Sequence, residues 1–193
     1  MIHTIGHSNH PAERFIALLR QHGIGAVADV RSTPFSRFNP QFNRKALAVS
    51  LHDAGIHYVF LGDELGARSK DPACYDGSRV SYAKLAQSDP FRRGLERVLS
   101  GMHEHRIALM CAEREPLECH RTILISRALD RAAVPVTHIL ADGSLETHAQ
   151  AMRRLVAELE LGGDDLFRNP AELLDEAYEA QAAKVAYVRA QES

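Results

Sequence analysis

Five short apolar runs, each separated from the next by a stretch of helical or loop character, restrict this chain to few architectures. Residues 2–6, 26–30, 57–61, 107–112 and 136–140 read as strands of a sheet covered on both faces, because both alternate positions are largely apolar. Between them the apolar spacing becomes that of helices. Ala12, Phe15, Ile16 and Leu19 share one face between Pro11 and Gly23, and Phe91, Leu95, Val98, Leu99 and Met102 follow Asp89-Pro90. Ile125, Ala128, Leu129 and Ala132 form a third such face. Strands alternating with helices imply an α/β fold, a mostly parallel sheet of about five strands with right-handed crossovers and helices on both faces, Rossmann-like and three-layered. From Leu145 onward the strand signal disappears. Two helices are expected there, joined by a turn at Gly162-Gly163-Asp164-Asp165, the second opened by Asn169-Pro170 and carrying Leu173, Leu174, Ala177, Tyr178, Val185 and Val188. With 193 residues, 45% of them hydrophobic, the chain has material for one substantial core. The expected organisation is an α/β domain over residues 1–145 that holds the site, with residues 146–193 as a helical extension packed on it.

Charge narrows the partners. The formal net charge of -2 supplies no global positive field toward nucleic acid or anionic lipid, so any anion site must be local. No apolar run approaches the ~18 residues of a membrane span, and the N-terminus enters its first strand without a signal-like segment, so no membrane partner and a cytoplasmic location are expected. Three cysteines, an odd number, argue for buried, reactive or metal-bound thiols instead of a disulfide framework.

In an open parallel sheet, residues following the strands converge on one rim. That rim collects His7 and Ser8 from the first run, Arg31 from the second, Gly62, Asp63 and Glu64 from the third, Cys111 and Glu113 from the fourth, and Asp142 and Gly143 from the fifth. In the common nucleotide-binding order the first and fourth runs are neighbours, which sets Gly6-His7-Ser8 beside Cys111-Ala112-Glu113. The segment from Ile107 to Leu129 is the densest in chemistry. Cys111 ends an apolar strand as either a core residue or a nucleophile, and Cys119-His120-Arg121 follows near a helix start, where the dipole and a cation both favour thiolate. Whether that helix starts at Pro116 or at Cys119 decides how much the second thiol gains. Glu113 and His7 are the acid-base candidates; Ser8, Arg31, Glu64, His120 and Arg121 are the ligand-binding ones, with Arg121 either meeting an anion or holding the turn closed through Glu113 or Glu118. Cys111, Cys119 and His120, with Cys74 or His7, are of zinc-ligand type, yet no two cysteines lie within two to four residues of each other, so no metal site is assigned. No Cys-x-x-Cys pattern supports a redox disulfide, although one is geometrically possible between Cys111 and Cys119. Two long connections, residues 32–44 and 62–80, read as binding loops or mobile ones. The first interleaves Phe35, Phe38 and Phe42 with Arg37 and Arg44, with Lys45 directly after it as a third cation, a mix able to stack bases and track a phosphate backbone.

These motifs resemble one family. Thr4-Ile-Gly-His7-Ser8, Asp29-Val-Arg31-Ser-Thr-Pro34-Phe35-Ser, Leu61-Gly62-Asp63-Glu64-Leu65-Gly66, Cys111-Ala-Glu113 with Cys119-His120-Arg121, and His138-Ile-Leu-Ala-Asp142-Gly143 together look like the domain of unknown function 488 family, over most of residues 1–145. The resemblance implies that the rim residues belong to one site and leaves the reaction open. The expectation is therefore an enzyme binding an anionic, nucleotide-like or nucleic-acid ligand in a crevice with a reactive cysteine. A nucleic-acid-binding module with structural cysteines and a metal or redox thiol site are the alternatives, and the cofactor is unknown.

Overall fold

The computed structural model describes residues 1–161 and 169–190. Its core is a six-stranded sheet of order β3-β2-β6-β1-β7-β8. The strands are β1 (Ile2–Gly6), β2 (Ala26–Asp29), β3 (His57–Phe60), β6 (Ile107–Cys111), β7 (Val136–Ile139) and β8 (Leu145–Thr147), and a separate hairpin pairs β4 (Tyr75–Asp76) with β5 (Arg79–Val80). All pairings in the large sheet are parallel except β7 with β8. The sixth strand corrects the expectation that strand character ends at Leu145. Three residues that read as the approach to a helix complete the sheet edge instead. The run at 57–61 is also less covered than expected, since β3 is the opposite edge and is exposed at His57 and Val59.

Side-chain alternation along the strands sorts residues between two cores. Ile5, Val27, Ala108, Met110 and Ile139 face α1 (Ala12–Gln21) and α2 (Arg44–Asp53), with Phe15, Leu19, Phe42 and Leu51. Ala28, Leu109, Cys111 and Val136 face the other layer, built from α5 (Asp89–Gly101), α6 (Arg127–Arg131), α7 (His148–Glu158) and α8 (Pro170–Val185), together with the short helices α3 (Gly62–Leu65) and α4 (Tyr82–Leu85). A π-helical segment, Arg121–Ser126, leads directly into α6. α7 starts with a capping box between Thr147 and Gln150, and α8 starts at an Asn169 cap followed by Pro170. The expected glycine-rich turn between these two helices lies outside the described residues.

Buried hydrogen bonds tie α7 and α8 to the sheet: Thr4 Oγ1 to His138 Nδ1 at 2.8 Å, His138 Nε2 to His148 Nδ1 at 3.1 Å, and His148 Nε2 to Tyr178 Oη at 2.6 Å. Burial lowers the pKa of both histidines, and it lowers His3 and His7 from 6.5 to about 4. An unfolded chain protonates these rings near 6.5, whereas the folded chain keeps them neutral until pH approaches 4. Their contribution is therefore complete above 6.5 and lost as pH falls toward 4. Each such histidine adds a slope of up to ~1.4 kcal/mol per pH unit in that window. The urea midpoint is expected to fall markedly between pH 7.5 and pH 5; a flat profile would show that these rings are not held neutral.

Candidate functional site

β1 and β6 are neighbours, with Gly6 opposite Cys111, and the pairing runs on past the strands as His7 N–H donates to the Cys111 carbonyl and Ser8 N–H to the Ala112 carbonyl, both at 2.9 Å. Gly6 permits this approach, since a Cβ there would meet the Glu113 carbonyl oxygen at 1.9 Å. The chain leaving Cys111 then folds back through a 3-10 turn, Pro116–Glu118, to Cys119. Cys119 is extended, and its carbonyl accepts from Thr122 and Ile123, which makes it the residue that opens the helix. Its sulfur accepts the Arg121 backbone N–H at 3.5 Å, the geometry of a side-chain cap at a helix N-terminus. Of the two possible starts, the helix takes the one that favours this thiol.

Around Cys119 the polar groups are close. His120 Nδ1 lies 3.6 Å from Cys111 Sγ and 3.8 Å from Cys119 Sγ. Its Nε2 is 3.1 Å from the Val30 carbonyl, which only an N–H can satisfy, so Nε2 carries a proton and Nδ1 faces the two sulfurs. Cys119 Sγ–H donates to Glu113 Oε2 at 3.0 Å, which places that carboxylate to take the thiol proton. Burial opposes charge on Cys119, but the Cys111 thiol, Arg121 and His120 outweigh it and hold Cys119 well below the usual thiol range. Cys111 is pushed up by burial and by the neighbouring thiolate. Glu113 is raised by crowding protein atoms and by the Cys119 charge, and His120 is raised by that same charge against the effect of burial. The two thiols are thus pushed in opposite directions, Cys119 toward its ionised form and Cys111 away from it, with His120 shifted toward its protonated form.

These groups line a cavity of about 220 Å³ whose other walls include Arg31, Ser32, Thr33, Arg68, Tyr82, Glu118 and Tyr187. Tyr82 is buried and its hydroxyl has no hydrogen-bond partner, although it points where Cys111, Cys119 and Glu113 influence it. Tyr187 reaches the cavity because the segment after α8 lies along the β4–β5 hairpin: Val80 N–H donates to the Tyr187 carbonyl and Arg189 N–H to the Ser78 carbonyl. Arg68 stacks on the Tyr187 ring at 4.7 Å.

A family model described as "Domain of unknown function DUF488" matches residues 11–128. The chain belongs to this family. No curated protein matches it. Among solved structures, the DUF488 chain is similar to one from Shewanella putrefaciens CN-32 described as "Putative phosphatase (DUF442)", at 14% identity and a TM-score of 0.38, over 93% of this chain and 87% of that one. At that distance the likeness carries no argument about activity.

Four of the sequence-chosen residues of this DUF488 chain, Cys111, Glu113, Cys119 and His120, come together in the cavity wall, joined by Arg31. The others sit elsewhere. His7 is on the α1–α2 side of the sheet, opposite Cys111; it stacks on Phe42 at 4.3 Å, donates from Nδ1 to the Ser8 carbonyl at 2.7 Å and accepts at Nε2 from Arg31 at 3.1 Å. Both ring nitrogens are engaged, so His7 orients Arg31 and has no free lone pair for a proton. Ser8 adopts a positive φ of 49° and hydrogen-bonds Asn9. Glu64 forks onto Arg97 of α5, at 2.7 and 2.6 Å.

Neither expected anion-binding guanidinium is free. Arg121 is fully buried and donates to the backbone carbonyls of Glu113 at 2.7 Å and Arg114 at 3.3 Å, so it closes the loop between the cysteines through carbonyls, not through the expected carboxylates. Arg31 donates to both carboxylate oxygens of buried Asp29 and to the Phe42 carbonyl. Two contributors escaped the sequence reading. Tyr82 belongs to no motif, and Tyr187 reaches the site only through long-range pairing. For a metal, the fitting group among the described residues is Cys111, Cys119 and His120, whose donor atoms lie within 4.8 Å of one another. Cys74, considered as a fourth ligand, is buried and is not in the wall of this cavity.

Proposed function

We propose that this protein is a thiol-dependent enzyme in which Cys119 is the nucleophile toward a small substrate bound in the cavity between β6, the 112–118 loop and the C-terminal segment. The observation that carries this reading is the placement of Cys119 Sγ at a helix start, accepting the Arg121 N–H and facing His120 and Glu113 inside a walled crevice. His120 and Glu113 are the proton-handling groups. An anionic group on the substrate is met by Arg68, whose guanidinium lines the same cavity, while Arg31 stays bound to Asp29. The test is iodoacetamide labelling with each cysteine mapped by peptide mass. Cys119 should react ahead of Cys111 and Cys74, and inorganic phosphate at constant ionic strength should slow it. Equal, slow labelling of all three would overturn the reading.

Tyr82 supplies an independent check. Its hydroxyl is buried without a partner, so Tyr82→Phe removes an unsatisfied group and is expected to leave stability unchanged or raise it by up to ~1 kcal/mol. The same change should weaken phosphate protection of Cys119, because the hydroxyl is the donor left available to a ligand. A clear loss of stability would place that hydroxyl in the fold instead.

A second reading is favoured by the three donor atoms within 4.8 Å, with His120 Nδ1 turned toward both sulfurs and Nε2 fixed by a backbone carbonyl. A thiophilic cation such as zinc would take those atoms, with Glu113 beside them. Stoichiometric zinc in protein purified without chelator, together with thiols that label only after its removal, would replace the nucleophile reading.

A further inference from the structure

The nucleophile reading leaves Cys111 without a task, and the crevice geometry supplies one. We propose that the substrate is a small disulfide and that Cys111 is the resolving thiol, so that the chain reduces its substrate while forming a Cys111–Cys119 disulfide. This rests on Cys119 being the nucleophile.

Three observations point to it. The two sulfurs belong to a group of donor atoms lying within 4.8 Å of one another, and a single imidazole nitrogen faces both, at 3.6 and 3.8 Å. That nitrogen can serve two successive sulfur reactions, a provision that a single-thiol mechanism does not need. The loop between the cysteines is folded back and fastened at its turn by Arg121 on the Glu113 and Arg114 carbonyls, while Cys111 is held by strand pairing to Gly6. The sulfurs therefore do not depend on a chance encounter. Finally, the guanidiniums of Arg31 and Arg121 are committed to Asp29 and to backbone carbonyls, which leaves Arg68 as the one guanidinium of the wall beside Glu113 and Glu118 among the described residues. Such a wall suits an electrophilic sulfur better than a phosphate centre.

The chemistry balances on these residues. Cys119 thiolate attacks one sulfur of R–S–S–R′; the Cys119–S–S–R bond forms, the substrate S–S bond breaks, and R′–S⁻ leaves with the proton from the His120 imidazolium. Neutral His120 then takes the proton of Cys111. The Cys111 thiolate attacks Cys119 Sγ, the protein disulfide forms, and R–S⁻ leaves with that same proton. Two electrons and two protons pass from the chain to the substrate, giving R–SH and R′–SH. An external dithiol returns the protein to its reduced form.

The experiment treats the reduced full-length protein with oxidised glutathione and, separately, with uncharged hydroxyethyl disulfide, followed by acid quench and intact and peptide mass analysis. Wild type is expected to lose two hydrogens, with Cys111 linked to Cys119 and Cys74 still free. Cys111→Ser should stop as a mixed disulfide on Cys119, with one adduct per chain, and Cys119→Ser should form neither product. If wild type and Cys111→Ser accumulate the same stable mixed disulfide, resolution by Cys111 is overturned while the nucleophile stands. If iodoacetamide labels Cys119 rapidly but neither disulfide reacts with it, the substrate class is overturned. Failure of Cys119 to react with any reagent removes both readings.

Discussion

Asp29→Ala is expected to destabilise the fold by about 3–5 kcal/mol, because it leaves a buried guanidinium without its counter-charge. The Asp29 carboxylate is fully buried and accepts four hydrogen bonds: from Arg31 N at 3.1 Å, Nε at 2.9 Å and Nη2 at 2.6 Å, and from Tyr58 Oη at 2.8 Å. No water replaces it cheaply. Burial and the carboxylate together raise the Tyr58 hydroxyl, and the carboxylate also raises Arg31 against the effect of burial. In urea the midpoint should fall with little change in slope, and the melting temperature should drop by roughly 10 °C, at about 2–4 °C per kcal/mol for a chain of this size. A loss below ~1 kcal/mol would mean that solvent reaches Arg31 and that the pair resembles a surface bridge. Asp29→Asn, which keeps one acceptor for Arg31, is expected to lie between the two.

The second large effect concerns reactivity. An ordinary thiol is about 1–3% ionised at neutral pH, so a thiol held mostly as thiolate is expected to label up to ~100-fold faster than such a thiol, less whatever burial and lower basicity subtract. Cys119→Ser should remove the fast phase entirely, and His120→Ala should slow it by roughly tenfold or more through loss of the imidazolium. The decisive measurement is the labelling rate against pH. Cys119 should keep its high rate below pH 7, where an ordinary free thiol such as that of glutathione reacts slowly. A rate that instead rises tenfold per unit up to pH 9 would show an unactivated thiol, and the proposed enzyme would lose its nucleophile.

The parallel core was readable because fully covered strands are nearly all apolar; the adjacency of β1 and β6 holds and sets Cys111 beside Gly6, although the common order does not, since β6 lies between β2 and β1. What escaped was short or nonlocal. Leu145-Glu-Thr147 pairs with β7 over three residues, too few for a period to register, and β4 and β5 are two residues each. The cysteine cluster was visible in the residue types, yet the orientation of His120 depends on the Val30 carbonyl, ninety positions away in the chain. Arginine identity signals an anion, but it does not tell whether that anion is a ligand, an aspartate such as Asp29 or a backbone carbonyl. For Arg31 and Arg121 the protein itself supplies the acceptors. His7 was expected at this rim with no face assigned; its side chain lies on the α1–α2 side, stacked on Phe42, because one step along a strand reverses the side chain.

The widened turn over Arg121–Ser126 makes the helix register a component of the chemistry. Removing one residue inside it would let the coil tighten to ordinary pitch and leave the helix intact, while rotating everything upstream by about 100°. Cys119 and His120 would swing out of line with Cys111, and a properly folded, inert protein would result. Within this family, such a one-residue contraction would distinguish chains that retain the architecture from those that retain the reactive centre.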